Sequence, residues 1–235
     1  MTEPAFVLYD LAAADPDVRF SPHCWKTRMA IAHKGLLGLT EFRPWRFTEK
    51  EEIAFSGSKS VPVLVQGERV VADSWKIALY LEKAYPEAPS LFGGTEAVAL
   101  CTLINDWVDL SLMEPIGRVV ISDLHARIAD KDKAYFRTTR ERWLGNSFEA
   151  LAADREGSLR SLRKVLAPLR KLLRGQPYLS GQAPGYADYC VFGLFMWARS
   201  SSPIELLGTD DSMVAWRDRL LDAYNGFARR APVAI

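Results

Sequence analysis

The residues best suited to chemistry open a run near the start of this 235-residue chain, Phe20-Ser21-Pro22-His23-Cys24-Trp25-Lys26-Thr27-Arg28. Ser21 suits a helix N-cap, Pro22 the first helical position and Gly35 the C-terminal exit. A helix N-terminus offers unpaired N–H groups and partial positive charge, which favour a thiolate over a thiol. The Ser21 hydroxyl could donate a hydrogen bond to such a sulfur, although a plain helix cap is the commoner explanation of a Ser-Pro pair taken alone. His23 could act as a base beside Ser21, but neighbouring side chains on a helix point apart. No G-x-S-x-G elbow surrounds Ser21, which argues against a Ser-His hydrolase. Cys24, one turn further in, reads as a packing residue, with a redox role as the lesser alternative.

Two further constellations follow. Val61-Pro62 stands just before an apolar run. A proline there is either an edge-strand device or a cis peptide that exposes the Val61 N–H and C=O to an extended peptide ligand. Asp73-Ser74 then starts another helix. As well as capping it, the pair could hold a ligand carboxylate at the helix N-terminus and an ammonium on the aspartate. Lys59 could meet a second carboxylate, or simply be a solvated loop lysine.

The elements that must position these residues are legible from periodicity. Residues 6–11 (FVLYDL) read as a buried strand, residues 21–35 as a helix, and Phe42 to Phe47 as a second strand. EKEEIAFSG is weakly helical, and SVPVLVQGERVVADS reads as two strands joined by a tight turn at Gln66-Gly67. A helix with Ile77, Tyr80, Leu81 and Ala84 on one face runs until Pro86. This βαβαββα order is that of a thioredoxin-like domain over 1–88. A linker over 89–95 leads to an all-helical domain over 96–235. There we expect a long helix or a pair kinked at Pro115, a basic helix from about Lys131, and one amphipathic helix over SLRSLRKVLAPLRKLL.

Composition narrows the partners. A formal net charge of +1 gives no bulk electrostatic reason to expect nucleic acid or acidic lipid. The segment MTEPAFVLYD lacks the basic and apolar regions of a signal peptide, and no apolar run is long enough to span a membrane, so a cytoplasmic protein is expected. Three cysteines and three histidines lack metal-ligand spacing, and no metal is expected.

Taken in order, Ser21, Val61-Pro62 and Asp73-Ser74 resemble the glutathione-binding residues of glutathione transferases, and the likeness covers the whole chain. Ser21-Pro22-His23-Cys24 also looks like the C-P-x-C of glutaredoxins with its leading cysteine replaced. Within the transferases, YDL, SPxxWKTR, AxxHKG, DSWxIAxYLExxYP and ADY are similar to the serine-type bacterial β-etherases and their fungal relatives. Asp73 stands where the family has glutamate, a shorter reach. The resemblance implies glutathione as co-substrate: Ser21 on its thiolate, Val61 on its cysteinyl backbone, Asp73 and Ser74 on its γ-glutamyl end, Lys59 on its glycine carboxylate. It implies a homodimer acting in detoxification, and places Asp188 in the capping box of a C-terminal helix, with Gly185 replacing the usual Ser or Thr.

An apolar second-substrate cleft, for an aromatic electrophile, is expected between the domains, with Phe20, Trp25, Met113, Ile116 and Tyr135 as candidates. Aryl ether cleavage, aromatic substitution and addition all fit. Two alternatives are an isomerase of the maleylacetoacetate type, whose S-S-C-x-W-R-x-R signature SPHCWKTR partly matches, and a non-catalytic binder of aromatic ligands.

Overall fold

Strand β1 (Phe6–Leu11) is an almost continuous apolar run because it lies inside the sheet. In the computed structural model, which describes residues 5–235, the order is β2-β1-β3-β4. Residues 1–4, part of the segment read above for a leader, lie outside the described residues. β2 (Thr40–Trp45) runs parallel to β1, whereas β3 (Val63–Gln66) is antiparallel to it and β4 (Arg69–Ala72) closes a hairpin.

The βαβαββα expectation holds, with its second helix reduced to a 3-10 segment, Lys50–Ser56, which Gly57 ends at a φ of 68°. Helix α1 (Pro22–His33) buries both of its faces, one towards β1 and the other against the helical domain. It therefore has no one-sided apolar stripe. Helix α2 (Ser74–Ala84) packs beside it, and residues 85–94 lead to α3 (Thr95–Trp107).

The kink expected at Pro115 lies just upstream. A π turn, Val108–Leu112, separates α3 from α4 (Met113–Arg127), and the Met113 N–H reaches back to the Val108 carbonyl. Pro115 brings no N–H and crowds the carbonyl four residues before it, and the widened turn accommodates both effects. Helices α5 (Asp130–Leu144) and α6 (Phe148–Ala153) follow. The single helix expected over SLRSLRKVLAPLRKLL is in fact two, α7 (Arg155–Val165) and α8 (Ala167–Leu173). Pro168 has no N–H to donate to the carbonyl of Lys164, so the helix breaks at Leu166.

Helix α9 (Tyr186–Ser201) is the buried axis of this domain, apolar on nearly every side, and α10 (Met213–Gly226) packs against it. Asp188 holds the start of α9. Its carboxylate, fully buried, accepts the N–H groups of Leu179 at 2.7 Å, Ser180 at 3.1 Å and Gly185 at 3.1 Å, and the Trp216 indole at 2.8 Å. The missing Ser or Thr at 185 is thus offset by two loop amides and an indole. Among the described residues no helix is long and apolar enough to cross a membrane.

Candidate functional site

At the seam between the sheet domain and the helices, Ser21 caps α1: its Oγ accepts the Cys24 N–H at 3.3 Å and its carbonyl accepts the Trp25 N–H at 3.0 Å. A hydroxyl has two lone pairs and one proton, so capping consumes a lone pair and leaves the proton to donate. The two readings of Ser21 therefore coexist. The side chain lines an interdomain cleft of about 250 Å³.

A second, more polar hollow of about 440 Å³ adjoins it, lined by Val61, Pro62, Asp73 and Ser74. The two share His23, Ser60 and Val61. The Val61-Pro62 peptide is cis, and the Val61 backbone makes no hydrogen bond to the described residues. Asp73 caps α2 through Oδ1, which accepts the Trp75 and Lys76 N–H groups at 3.0 Å each. It does so at a φ of 85°, a conformation that costs a non-glycine residue about 1–3 kcal/mol and concentrates at functional sites. Lys59 lines the apolar cleft, not the polar hollow, and its carbonyl accepts the Lys50 ammonium at 2.7 Å.

Of the five residues expected around the second substrate, Phe20, Met113 and Tyr135 line the apolar cleft. Trp25 and Ile116 do not. Both are fully buried in the core, Trp25 with its indole N–H on the Arg19 carbonyl at 2.8 Å. Each lies on an apolar helix whose inward face the sequence does not distinguish from its cleft face. The reverse error was to pass over Trp45, Phe47, Phe136, Arg140, Trp143 and Trp197, which also line the cleft. Phe136, Arg140 and Trp143 recur at helical spacing on α5, the one signal that could have grouped them. Gly117 of α4 makes room for two of the rings: a Cβ there would stand 3.0 Å from Trp143 and 3.2 Å from Trp197.

His23, set aside on sequence grounds as a base, sits at the junction of the two hollows, its Nδ1 4.0 Å from Asp109. Burial and then the neighbouring Lys26 push its pKa down to about 4, so the ring is neutral near pH 7. Cys24 is fully buried, and burial followed by the nearby Asp10 carboxylate pushes its thiol well up. That keeps it protonated and inert, as expected of a packing residue.

A four-stranded thioredoxin-like domain joined to a helical domain, with a polar hollow and an apolar cleft that meet at His23, Ser60 and Val61, defines a two-domain protein with paired hollows along the sheet-to-helix seam. Residues 20–84 match the family model of the glutathione S-transferase N-terminal domain, and residues 99–221 that of the glutathione S-transferase C-terminal domain. The chain belongs to the glutathione S-transferase family.

Among solved structures, glutathione transferase GSTFuA3 from Phanerochaete chrysosporium superposes with a TM-score of 0.83 at 25% identity, covering 95% of this chain and 98% of that one. The fold is shared with a glutathione S-transferase of Ceriporiopsis subvermispora determined in complex with glutathione (TM-score 0.79, 21% identity, 98% of this chain and 100% of that one). Among sequence relatives, the glutathione S-transferase-like protein ustS of Aspergillus flavus is 24% identical over 165 residues, which are 66% of this chain and 55% of that protein. Glutathione S-transferase 1 of Dianthus caryophyllus is 26% identical over 206 residues, 85% of this chain and 81% of that one.

Proposed function

We propose that this chain is an active glutathione transferase acting on an aromatic electrophile. Ser21 donates a hydrogen bond to the glutathione thiolate, Val61 pairs with the cysteinyl backbone, Asp73 and Ser74 take the γ-glutamyl end, and Lys59 takes the glycine carboxylate. The observation that carries the reading is that Ser21 Oγ caps α1 as an acceptor, a role that does not use its proton, while the residue stands beside the junction of the polar and apolar hollows.

The magnitudes suffice. Lowering a thiol pKa by about 2 units requires about 2.7 kcal/mol. A hydrogen bond to a charged group supplies about 1.5–3 kcal/mol, and the α1 N-terminus adds about 0.3–1 kcal/mol. The thiol proton leaves to solvent. The sulfur then forms a bond to the electrophilic carbon as the leaving group departs with its electron pair. In aryl ether cleavage, the finer form of this reading, the leaving group is an alkoxide or phenoxide that takes up a proton from water.

Leu100, Leu103 and Leu110 stand 67%, 64% and 83% exposed on the α3 side of the helical domain, an apolar face that supports a homodimer. A cytoplasmic location and a detoxifying role go with this reading.

The test is Ser21→Ala. It should raise the pKa of bound glutathione, read from thiolate absorbance, and lower kcat/KM with an aryl halide or aryl ether about 10-fold to 100-fold. Full activity in Ser21→Ala with loss in Cys24→Ser would overturn the assignment. Binding of glutathione without turnover of any electrophile would leave a ligand-binding protein of the same fold.

A further inference from the structure

The apolar cleft is not charge-free. Its lining includes Lys50, Lys59 and Arg140 and no aspartate or glutamate. Lys50 has a partner, the Lys59 carbonyl, and lies over the rings of Trp45 at 4.7 Å and Tyr135 at 5.9 Å. Arg140 is different. Among the described residues it forms no ion pair, and its one hydrogen bond goes from Nη1 to the hydroxyl of Thr139 at 3.0 Å. The guanidinium is wedged between aromatic faces, 5.1 Å from the Phe47 ring centre and 5.2 Å from that of Phe136.

A guanidinium has five N–H donors in a planar fork suited to a carboxylate or phenolate. Withdrawing one from water without a counter-charge is costly, and ring faces repay only part of that cost. Burial accordingly depresses the Arg140 pKa. Lys50 is lowered too, by burial first, with the Asp132 carboxylate drawing it back up and Arg140 pushing it further down. Among the described residues no carboxylate pairs with Arg140. Glu141 and Glu149 are taken by Arg137, Glu114 by Arg118, and Asp132 accepts the Thr48 N–H from the β2 side.

We propose that the second substrate is an aromatic anion, its ring seated among Phe47, Phe136 and Trp143 and its carboxylate or phenolate oxygen held by Arg140. Arg140 is then a specificity residue: it reads the anion and takes no part in the transfer at sulfur. The inference rests on the transferase reading above, and narrows its substrate from apolar aromatic compounds to charged ones.

The experiment uses the full chain with glutathione and a matched pair of electrophiles, a chlorodinitrobenzoate and its methyl ester. In each the sulfur displaces chloride, and each rate is divided by the uncatalysed rate with glutathione. The benzoate should be preferred about 10-fold to 100-fold in kcat/KM. Arg140→Met should bring that ratio close to one and Arg140→Lys to an intermediate value. A cation held only for packing on the rings would leave the ratio unchanged while stability or both rates fell.

Equal use of both electrophiles by the wild type, or a preference that survives Arg140→Met, overturns the inference while leaving the transferase reading intact. If neither electrophile is turned over, the transferase reading fails, and binding decides. Trp45, Trp143 and Trp197 line the cleft and report occupancy by fluorescence quenching. Tighter binding of a dinitrobenzoate than of its methyl ester, lost in Arg140→Met, supports the inference, and equal binding overturns it.

Discussion

A Cβ atom built on Gly193 would stand 2.5 Å from the carbonyl oxygen of Pro22, the first residue of α1. The absent side chain at the centre of α9 lets the helix that begins at Ser21 press directly onto the helical domain. The start of α1, with Ser21 at its cap, and the packing of the two domains thus meet at one backbone contact, which involves no flexible side chain able to give way.

Gly193→Ala should therefore push the N-terminus of α1 away from α9. The expected cost is about 1–3 kcal/mol in stability, read from the urea midpoint. Ser21 moves with the helix, so kcat/KM for glutathione should fall by about tenfold in protein that remains folded. Unchanged stability and activity would mean that α9 can slide freely, contrary to its buried position.

The buried ammonium of Lys26 donates to Asp109 at 2.7 Å and to Asn105 at 2.9 Å, joining α1 to the π turn. The pair is asymmetric: Lys26 is wholly buried, whereas the Asp109 side chain is 31% exposed. Removing the carboxylate strands a buried charge, so Asp109→Ala should cost about 3 kcal/mol. Lys26→Met leaves a carboxylate that water can reach and should cost about 1 kcal/mol or less. Chemical denaturation of both variants tests the order, and the reverse order would refute it.

Asp188→Ala removes the acceptor shared by the Gly185 N–H at the start of α9, the Leu179 and Ser180 N–H groups of the preceding loop and the Trp216 indole of α10. The loss should be on the order of 4 kcal/mol, visible as a large drop in melting temperature. Activity per folded molecule at low temperature should stay near that of the wild type, because the carboxylate touches neither hollow. A loss of turnover without a loss of stability would assign Asp188 to the reaction.

Acid should destabilise the fold before its carboxylates titrate. Burial and Lys26 lower His23, and burial and Lys34 lower His33, from an ordinary value of 6.5. A folded-state pKa below the unfolded one means that the unfolded chain binds more protons between the two values. The contribution is complete above about pH 6.5 and is lost as pH falls towards about 4, the His23 value. The urea midpoint should thus decrease between about pH 7 and about pH 5, and His23→Gln should lessen the decrease. A flat midpoint over that interval would count against neutral, half-buried rings.

The order of elements and their boundaries were legible where the signal is local. A serine before a proline, an aspartate at the head of α2 and the tight turn at Gln66-Gly67 act over a few residues, and each expected element formed. The misses share a cause. Pro115 and Pro168 both interrupt helical patterns, but whether a proline is absorbed by a π turn, as at Pro115, or splits a helix, as at Pro168, depends on what packs around the turn. Trp25 and Ile116 were misplaced because apolar helices have more than one inward-looking side.

By itself, then, the sequence determined the two kinds of domain and the succession Ser21, Val61-Pro62, Asp73-Ser74, because caps, turns and periodicity are properties of neighbouring residues, and the resemblance of that succession to the glutathione transferases gave the family. Only the tertiary structure decided that Ser21 both caps a helix and keeps its proton, that His23 bridges two hollows, and that Arg140 stands without a counter-charge among aromatic rings. Those are relations between residues far apart in the chain, and they exist only once α1, α4, α5 and α9 have packed on one another.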